Sequence, residues 1–140
     1  MIIYNAEGMI LGRLATQVAK AALLGEEVRV VNCAKAVISG EKTNTFTREK
    51  ERRDRGGHPL KSPTISRLPH LFARRTIRGM LPWKQARGRE AFKRILCYPQ
   101  IPEEFAQEKM IVVQEASVKK LPNLKFVSIQ ELCRHLGGKV

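Results

Sequence analysis

Between Ile2 and Gly40 the sequence sets short, unbroken apolar runs on either side of one amphipathic helix, and few folds accept that order. Ile2-Ile3-Tyr4 reads as a strand, and Gly8 to Gly12 then open a helix. On it Leu11, Leu14, Ala15, Val18 and Ala22 fall at i, i+3, i+4, i+7 and i+11, a single apolar stripe. Arg13, Gln17 and Lys20 take the opposite face, and Gly25 is placed to cap the C-terminus. Val28 to Val31 shows little polar alternation, and Ala36-Val37-Ile38 forms a second run ending at Ser39-Gly40. Strands without alternation are buried on both faces, so the order predicts an α/β fold: a parallel sheet with crossover helices. A chain of 140 residues suits one domain with a real core. Within residues 1–140 the reading places the core in 1–40 and 87–102, a basic region in 41–86 and a C-terminal extension in 103–140.

The remainder is less regular. Thr47 to His58 (TREKERRDRGGH) contains no aliphatic or aromatic side chain. Glu49 with Arg53, and Glu51 with Arg55, have i,i+4 spacing, which predicts a helix stopping at Gly56-Gly57. With no face to bury, such a helix projects from the core or lies on something else. Prolines and glycines punctuate residues 59–69, and a short helix follows with Pro69 in its first turn, Leu71 and Phe72 inward and Gly79 as its cap. Phe92, Ile95 and Leu96 mark one more amphipathic helix, then a turn at Tyr98-Pro99 and Pro102. Met110 to Val113 is an apolar run and Lys125-Phe126-Val127 a strand. Ser128 and Glu131 make a capping box for a final helix with Ile129, Leu132, Cys133 and Leu136 inward, closed by Gly137-Gly138.

Charge narrows the partner. The formal net charge is +13 and the pI near 10.2. From Lys35 to Arg94 there are seventeen Lys or Arg against five Asp or Glu, a net of +12, while the rest of the chain nets +1. The positive charge belongs to one region, carried by nearly neutral flanks. Such a concentration points to a polyanion, nucleic acid before anionic membrane. Arginine dominates it, as planar donors that fork onto phosphate oxygens do.

Other chemistries find little support. Gly8 and Gly12 follow a strand and open a helix, yet the spacing is neither G-x-G-x-x-G nor G-x-x-x-x-G-K-[ST], and only Arg13 could approach a phosphate there. Turn-and-cap geometry is the simpler reading. His58, His70 and His135 are scattered, and Cys133 and His135, two apart, cannot share a metal from one helix face. No nucleophile motif and no carboxylate pair in an apolar setting is present, so no catalytic residue, metal or cofactor is assigned. Cys33, Cys97 and Cys133 form no C-x-x-C pair and read as free thiols packed like small hydrophobes in a reducing compartment. No apolar run has transmembrane length, MIIYNAEGM lacks the features of a signal peptide, and the cytosol is expected.

One stretch remains: RTIRGMLPWKQARGREAFKR, Arg75 to Arg94, an apolar knuckle amid cations. Gly79 removes a Cβ and Pro82 biases Leu81 to an extended conformation. The knuckle is therefore expected to be pre-shaped, with Met80 and Leu81 anchored in the core and the neighbouring cations at set spacings. Trp83 packs locally or meets nucleic acid.

GRLATQVAK (Gly12 to Lys20), VVNCAKAVISGEK (Val30 to Lys42) and RGMLPWKQARGREAFKRILCYPQIP (Arg78 to Pro102) together resemble the L-thirteen family of large-subunit ribosomal proteins. The resemblance covers about the first hundred residues. The segment Arg48 to Arg55 and the tail after Pro102 are similar to the archaeal and eukaryotic branch, and the absence of the longer eukaryotic tail favours archaeal. The resemblance implies a three-layer α/β/α core with a four-stranded, mainly parallel sheet. It also implies a structural role on large-subunit ribosomal RNA in the cytoplasm beside other large-subunit proteins, without enzymatic activity, membrane or small-molecule substrate. The RNA-binding residues it implies are Lys42, Arg48, Arg52, Arg53 and Arg55, then His58 and Lys61. Arg74, Arg75, Arg78, Gly79 and Lys84 follow around the knuckle, and Arg87, Arg89, Lys93 and Arg94 beyond it. A free-standing RNA-binding regulator or accessory subunit using the same basic face is the alternative.

Overall fold

The structure is a computed structural model that describes residues 1–56 and 65–140. The helix stop at Gly56-Gly57 and the loop through residue 64 fall partly outside the described residues, as do His58 and Lys61.

Three strands, β1 (Ile2–Asn5), β2 (Val28–Val31) and β4 (Ile95–Cys97), form a parallel sheet in the order β1-β2-β4. Helix α1 (Leu11–Leu23) joins the first two. The central position is why Val28 to Val31 shows little polar alternation: Val28, Val30 and Val31 are essentially inaccessible and Arg29 is half-buried. The register sets Val28 beside both Ile2 and Ile95. Helix α1 buries Leu11, Leu14, Ala15, Val18 and Ala22, the predicted stripe, and Gly25 closes it at a φ of 103°. On the other face of the sheet Ile3 and Val31 pack with Phe105.

The expected fourth strand is not in this sheet. The run at Val37 does form a strand, β3 (Val37–Ser39), but it pairs antiparallel with β5 (Phe126–Ser128) in a separate two-stranded sheet. The diversion is local. Asn32 adopts a left-handed conformation (φ 58°) and Cys33–Lys35 follow as a 3-10 turn, which swings the chain out of the β2 line. Val37 N–H then donates to Met9 O at 2.9 Å. The free edge of β1 is met by one residue of the Met110 to Val113 run. Ile111 N–H donates to Ile3 O at 2.8 Å and Asn5 N–H to Ile111 O at 3.1 Å, a parallel bridge that extends no further.

Ile95 and Leu96 also differ from expectation. Helix α4 (Ala86–Lys93) ends before them and they open β4, with Ile95 and Cys97 buried and Leu96 turned out. A short apolar run after a helix fits helix or strand by period alone, and the open edge of β2 decides. Val28 N–H donates to Arg94 O there at 3.0 Å. Helix α3 (Pro69–Gly79) buries Phe72 as predicted but leaves Leu71 exposed.

The chain ends in α5 (Ile129–His135), whose Ile129, Leu132 and Cys133 are fully buried in the same cluster as α1 and β2. Ser128 caps it, its hydroxyl accepting from Glu131 N–H at 3.2 Å. The reciprocal half of the capping box is replaced, because the Glu131 carboxylate turns to Lys42. All three cysteines are buried free thiols. A hydrogen bond with the Cys97 thiol, then burial, holds Cys33 far above the ordinary thiol range, and burial pushes Cys133 up to about 11. Neither is a thiolate at neutral pH, so both pack as small hydrophobes.

Candidate nucleic-acid interface

Helix α3 carries its cations because its other side is committed. Phe72, Ala73 and Ile77 are buried, which leaves Arg74, Arg75 and Arg78 half-buried toward the surface. Two of these arginines stack on rings. The Arg74 guanidinium lies 4.5 Å from the centre of the Phe92 ring, and that of Arg78 lies 5.3 Å from Trp83. The two rings meet edge to face at 5.1 Å and 89°. Arg78, Trp83, Phe92 and Arg74 thus form a continuous ladder that holds two guanidinium planes in place. Trp83 packs locally and remains 42% exposed.

The knuckle is pre-shaped, though not as the sequence predicts. Leu81 is buried, but Met80 lies out on the surface against Thr16, whose hydroxyl is 3.6 Å from its sulfur. Gly79 is an ordinary helical residue, and a Cβ built on it meets nothing within 4 Å. The demanding position is Gly88, in the first turns of α4. A Cβ there would stand 2.2 Å from Pro82 O and 2.5 Å from Pro82 C. Gln85 N–H donates to the same carbonyl at 3.0 Å, so α4 docks against the knuckle backbone through its bare glycine. A glycine inside a helix costs about 1 kcal/mol relative to alanine, and that anomaly was the available signal.

Helix α4 buries Gly88 and Ala91 and exposes Arg87, Arg89 and Lys93, with Lys84 exposed just before it. Arg94 turns inward, donating to Ala22 O at 3.4 Å near the C-terminus of α1.

Helix α2 (Lys42–Asp54) begins five residues before the apolar-free stretch, and those residues supply the face that the stretch lacks. Thr45 is buried, and Phe46 stacks on His135 of α5 at 4.2 Å and 13°. Lys42 pairs with Glu131 and sits 5.6 Å above the Phe46 ring, while Arg53 donates to Leu136 O at the C-terminal end of α5. The helix therefore lies on α5. Lys42 and Arg53 are engaged by the protein, whereas Arg48, Arg52 and Arg55 face out. Glu49, only 4% exposed, pairs with Arg48 at 3.4 Å and Arg52 at 3.7 Å instead of Arg53. Arg52 of α2 and Arg75, Arg78 and Gly79 of α3 border one cleft. Arg87 lies elsewhere, across from Thr16 and Lys20 of α1.

The helix N-terminus near Gly8 behaves as a turn: Gly8 has φ 64° and Arg13 donates to Glu115 O at 3.2 Å. Among the described residues no group of three or more His, Cys, Asp or Glu is arranged for a metal, and no helix is long and apolar enough to cross a membrane.

Residues 1–104 match the family described as ribosomal protein L13. The large ribosomal subunit protein uL13 of Methanococcoides burtonii is 42% identical over 139 residues, covering 99% of each chain. That of Archaeoglobus fulgidus is 42% identical over 136 residues, 96% of this chain and 86% of its own. The Methanopyrus kandleri protein of the same name is 44% identical over 137 residues, again 96% and 86%. The family match and the near full-length archaeal relatives show that the chain belongs to the ribosomal protein L13 family, in its archaeal branch.

Proposed function

We propose that this protein is a structural constituent of the large ribosomal subunit that binds ribosomal RNA and supports subunit assembly, performing no catalysis. The observation that carries the reading is the placement of charge. The segment with a net of +12 is the one that folds into α2, α3 and α4, and these helices turn Arg48, Arg52, Arg55, Arg87, Arg89 and Lys93 outward. Arg74 and Arg78, stacked on Phe92 and Trp83, add donors whose orientation is set before binding. Pre-set donors lose little ordering entropy on contact with phosphate. Among the described residues nothing beside these cations resembles a base-reading module, so shape and backbone charge direct the contact. Neighbouring large-subunit proteins are the second class of partner, and the ribosome in the cytoplasm is the site of action.

Two measurements test the proposal. In sedimentation the protein travels with the large subunit through moderate salt; recovery mostly as free protein would instead favour a free-standing regulator. For an isolated ribosomal RNA fragment, neutralising about eight phosphates gives a log K against log salt slope of roughly −6 to −7. A slope near zero would sink the reading.

A further inference from the structure

The cleft between α2 and α3 has a lining that a flat cationic patch lacks. Its volume is about 320 Å³, enough for one nucleoside-sized group. Phe72 and Ile65 give it an apolar floor, and Arg52 and Arg78 stand at its border. Glu49, almost wholly buried, brings a carboxylate to its wall. Gly79 forms part of the lip, where an added Cβ would meet nothing and an incoming group can lie directly on helix backbone.

These features exclude simpler occupants. A lone phosphate would face the Glu49 carboxylate and gain nothing from the floor. An apolar side chain would fill the floor and displace water from Arg78 and from Glu49, which Arg48 and Arg52 already pair, without offering either a hydrogen bond, which is costly. A nucleotide satisfies all of them. Its base would lie on Phe72 and Ile65, its N–H edge would meet Glu49, and its phosphate would stay at the mouth with Arg52 and Arg78. Bases splayed out of single strands are recognised in this way, by stacking and by hydrogen bonds to the Watson–Crick edge. A carboxylate only accepts, so it selects donors. Guanine presents two adjacent N–H donors on that edge; adenine and cytosine present one amino group, and uracil one imino. We infer that the α2–α3 cleft seats one unstacked guanosine nucleotide of the bound RNA. The inference rests on the RNA-binding reading above and adds to it one base-selective position in an otherwise shape-directed contact.

The test uses the full chain and five probes: guanosine, adenosine, cytidine and uridine 5′-monophosphates and inorganic phosphate, titrated at low salt while backbone amide resonances are followed. Guanosine monophosphate should shift amides from Phe72 to Gly79 and around Glu49. It should bind at least about fivefold tighter than the other three, a modest return for a two-donor contact. Inorganic phosphate should leave the Phe72 amide in place. Glu49→Met removes the acceptor and should level the four nucleotides. Gly79→Leu obstructs the lip without changing charge, at a position with room for its Cβ, and should weaken guanosine monophosphate more than about tenfold while the fold is kept. Equal affinity for all four nucleotides in the unaltered protein, or an unchanged titration in Gly79→Leu, overturns the inference. An RNA fragment binding run in parallel separates the two levels. Steep, salt-dependent RNA binding with no guanosine selectivity refutes only the cleft, and loss of RNA binding altogether refutes the proposed function beneath it.

Discussion

Helix α2 and the α3–α4 pair carry similar numbers of cations, five and six, and hold them in opposite ways. The α3–α4 unit is anchored by apolar burial: Phe72, Ile77, Leu81 and Ala91 are all core residues, and Gly88 closes on Pro82. Each large apolar side chain there contributes about 1.5–3 kcal/mol. Helix α2 buries only Thr45 and Glu49, and it is tied to α5 by a ring stack, an ion pair and one hydrogen bond to Leu136 O. Exposed ion pairs add about 0–1 kcal/mol, and an aromatic pair about 0.5–1.5 kcal/mol. The lesson is that a similar number of cations need not mean similar rigidity: the arginines of α3 ride on a helix anchored in the core, while those of α2 can be released at much smaller cost.

The sharpest way to break the contrast is Gly88→Ala. Its methyl group would collide with backbone atoms of Pro82, so the knuckle and α4 must separate. We expect destabilisation of about 3 kcal/mol or more, read in thermal melts, with RNA affinity falling alongside. A variant that melts with the parent would show that α4 is not locked. Arg78→Ala comes next. Removing one phosphate donor should cost about 1.5–3 kcal/mol of RNA affinity and flatten the salt slope by roughly 0.7–0.9, with little change in melting. Phe46→Ala should cost about 1 kcal/mol of stability, and its effect should be confined in space. Amide exchange should quicken along α2 and not along α3, and the salt slope should hold, since no charge is lost. Uniform quickening would erase the distinction between the two regions.

The smallest effect belongs to His70 on α3. Burial lowers its pKa from 6.5, and its Nδ1 is buried without a hydrogen-bond partner among the described residues. The unfolded chain therefore binds the proton more readily, so stability declines as pH falls below about 6.5 and is unaffected above it. His70→Gln should remove that slight acid-side decline in melting temperature.

Elements built on one period were legible in the sequence. The α1 stripe and the buried face of α5, with its Ser128 cap, needed only local spacing. What escaped were choices between partners far apart in the chain. Nothing near Val37 announces that its mate is Phe126–Ser128 and not a central strand, and nothing in Ile95-Leu96 announces the open edge of β2. Within the basic face, the arginines were visible as residue types, but their fates were not. Lys42, Arg53 and Arg94 are recognisable as engaged by the protein only once α5 and α1 are in position beside them. Gly79 drew attention because it stands beside Met80-Leu81-Pro82, whereas Gly88 governs the backbone contact because α4 folds back over the proline.

The pairing of β3 with β5 sets a timetable for the newborn chain. Translation delivers β1, α1, β2, the knuckle and β4 before it delivers β5 and α5. At roughly 5–20 residues per second, the three-stranded sheet is complete well before Ile129 N–H can reach Ala36 O. During that interval β3 has an unclaimed edge and Phe46 has no His135 to rest on. The polypeptide is then half dressed: its α3–α4 cations can already be set while the α2 cations still swing, in surroundings rich in RNA. Fastening α2 is a late step in the protein's own synthesis, and a nascent chain stalled before α5 would carry the full basic segment without the strap that restrains it.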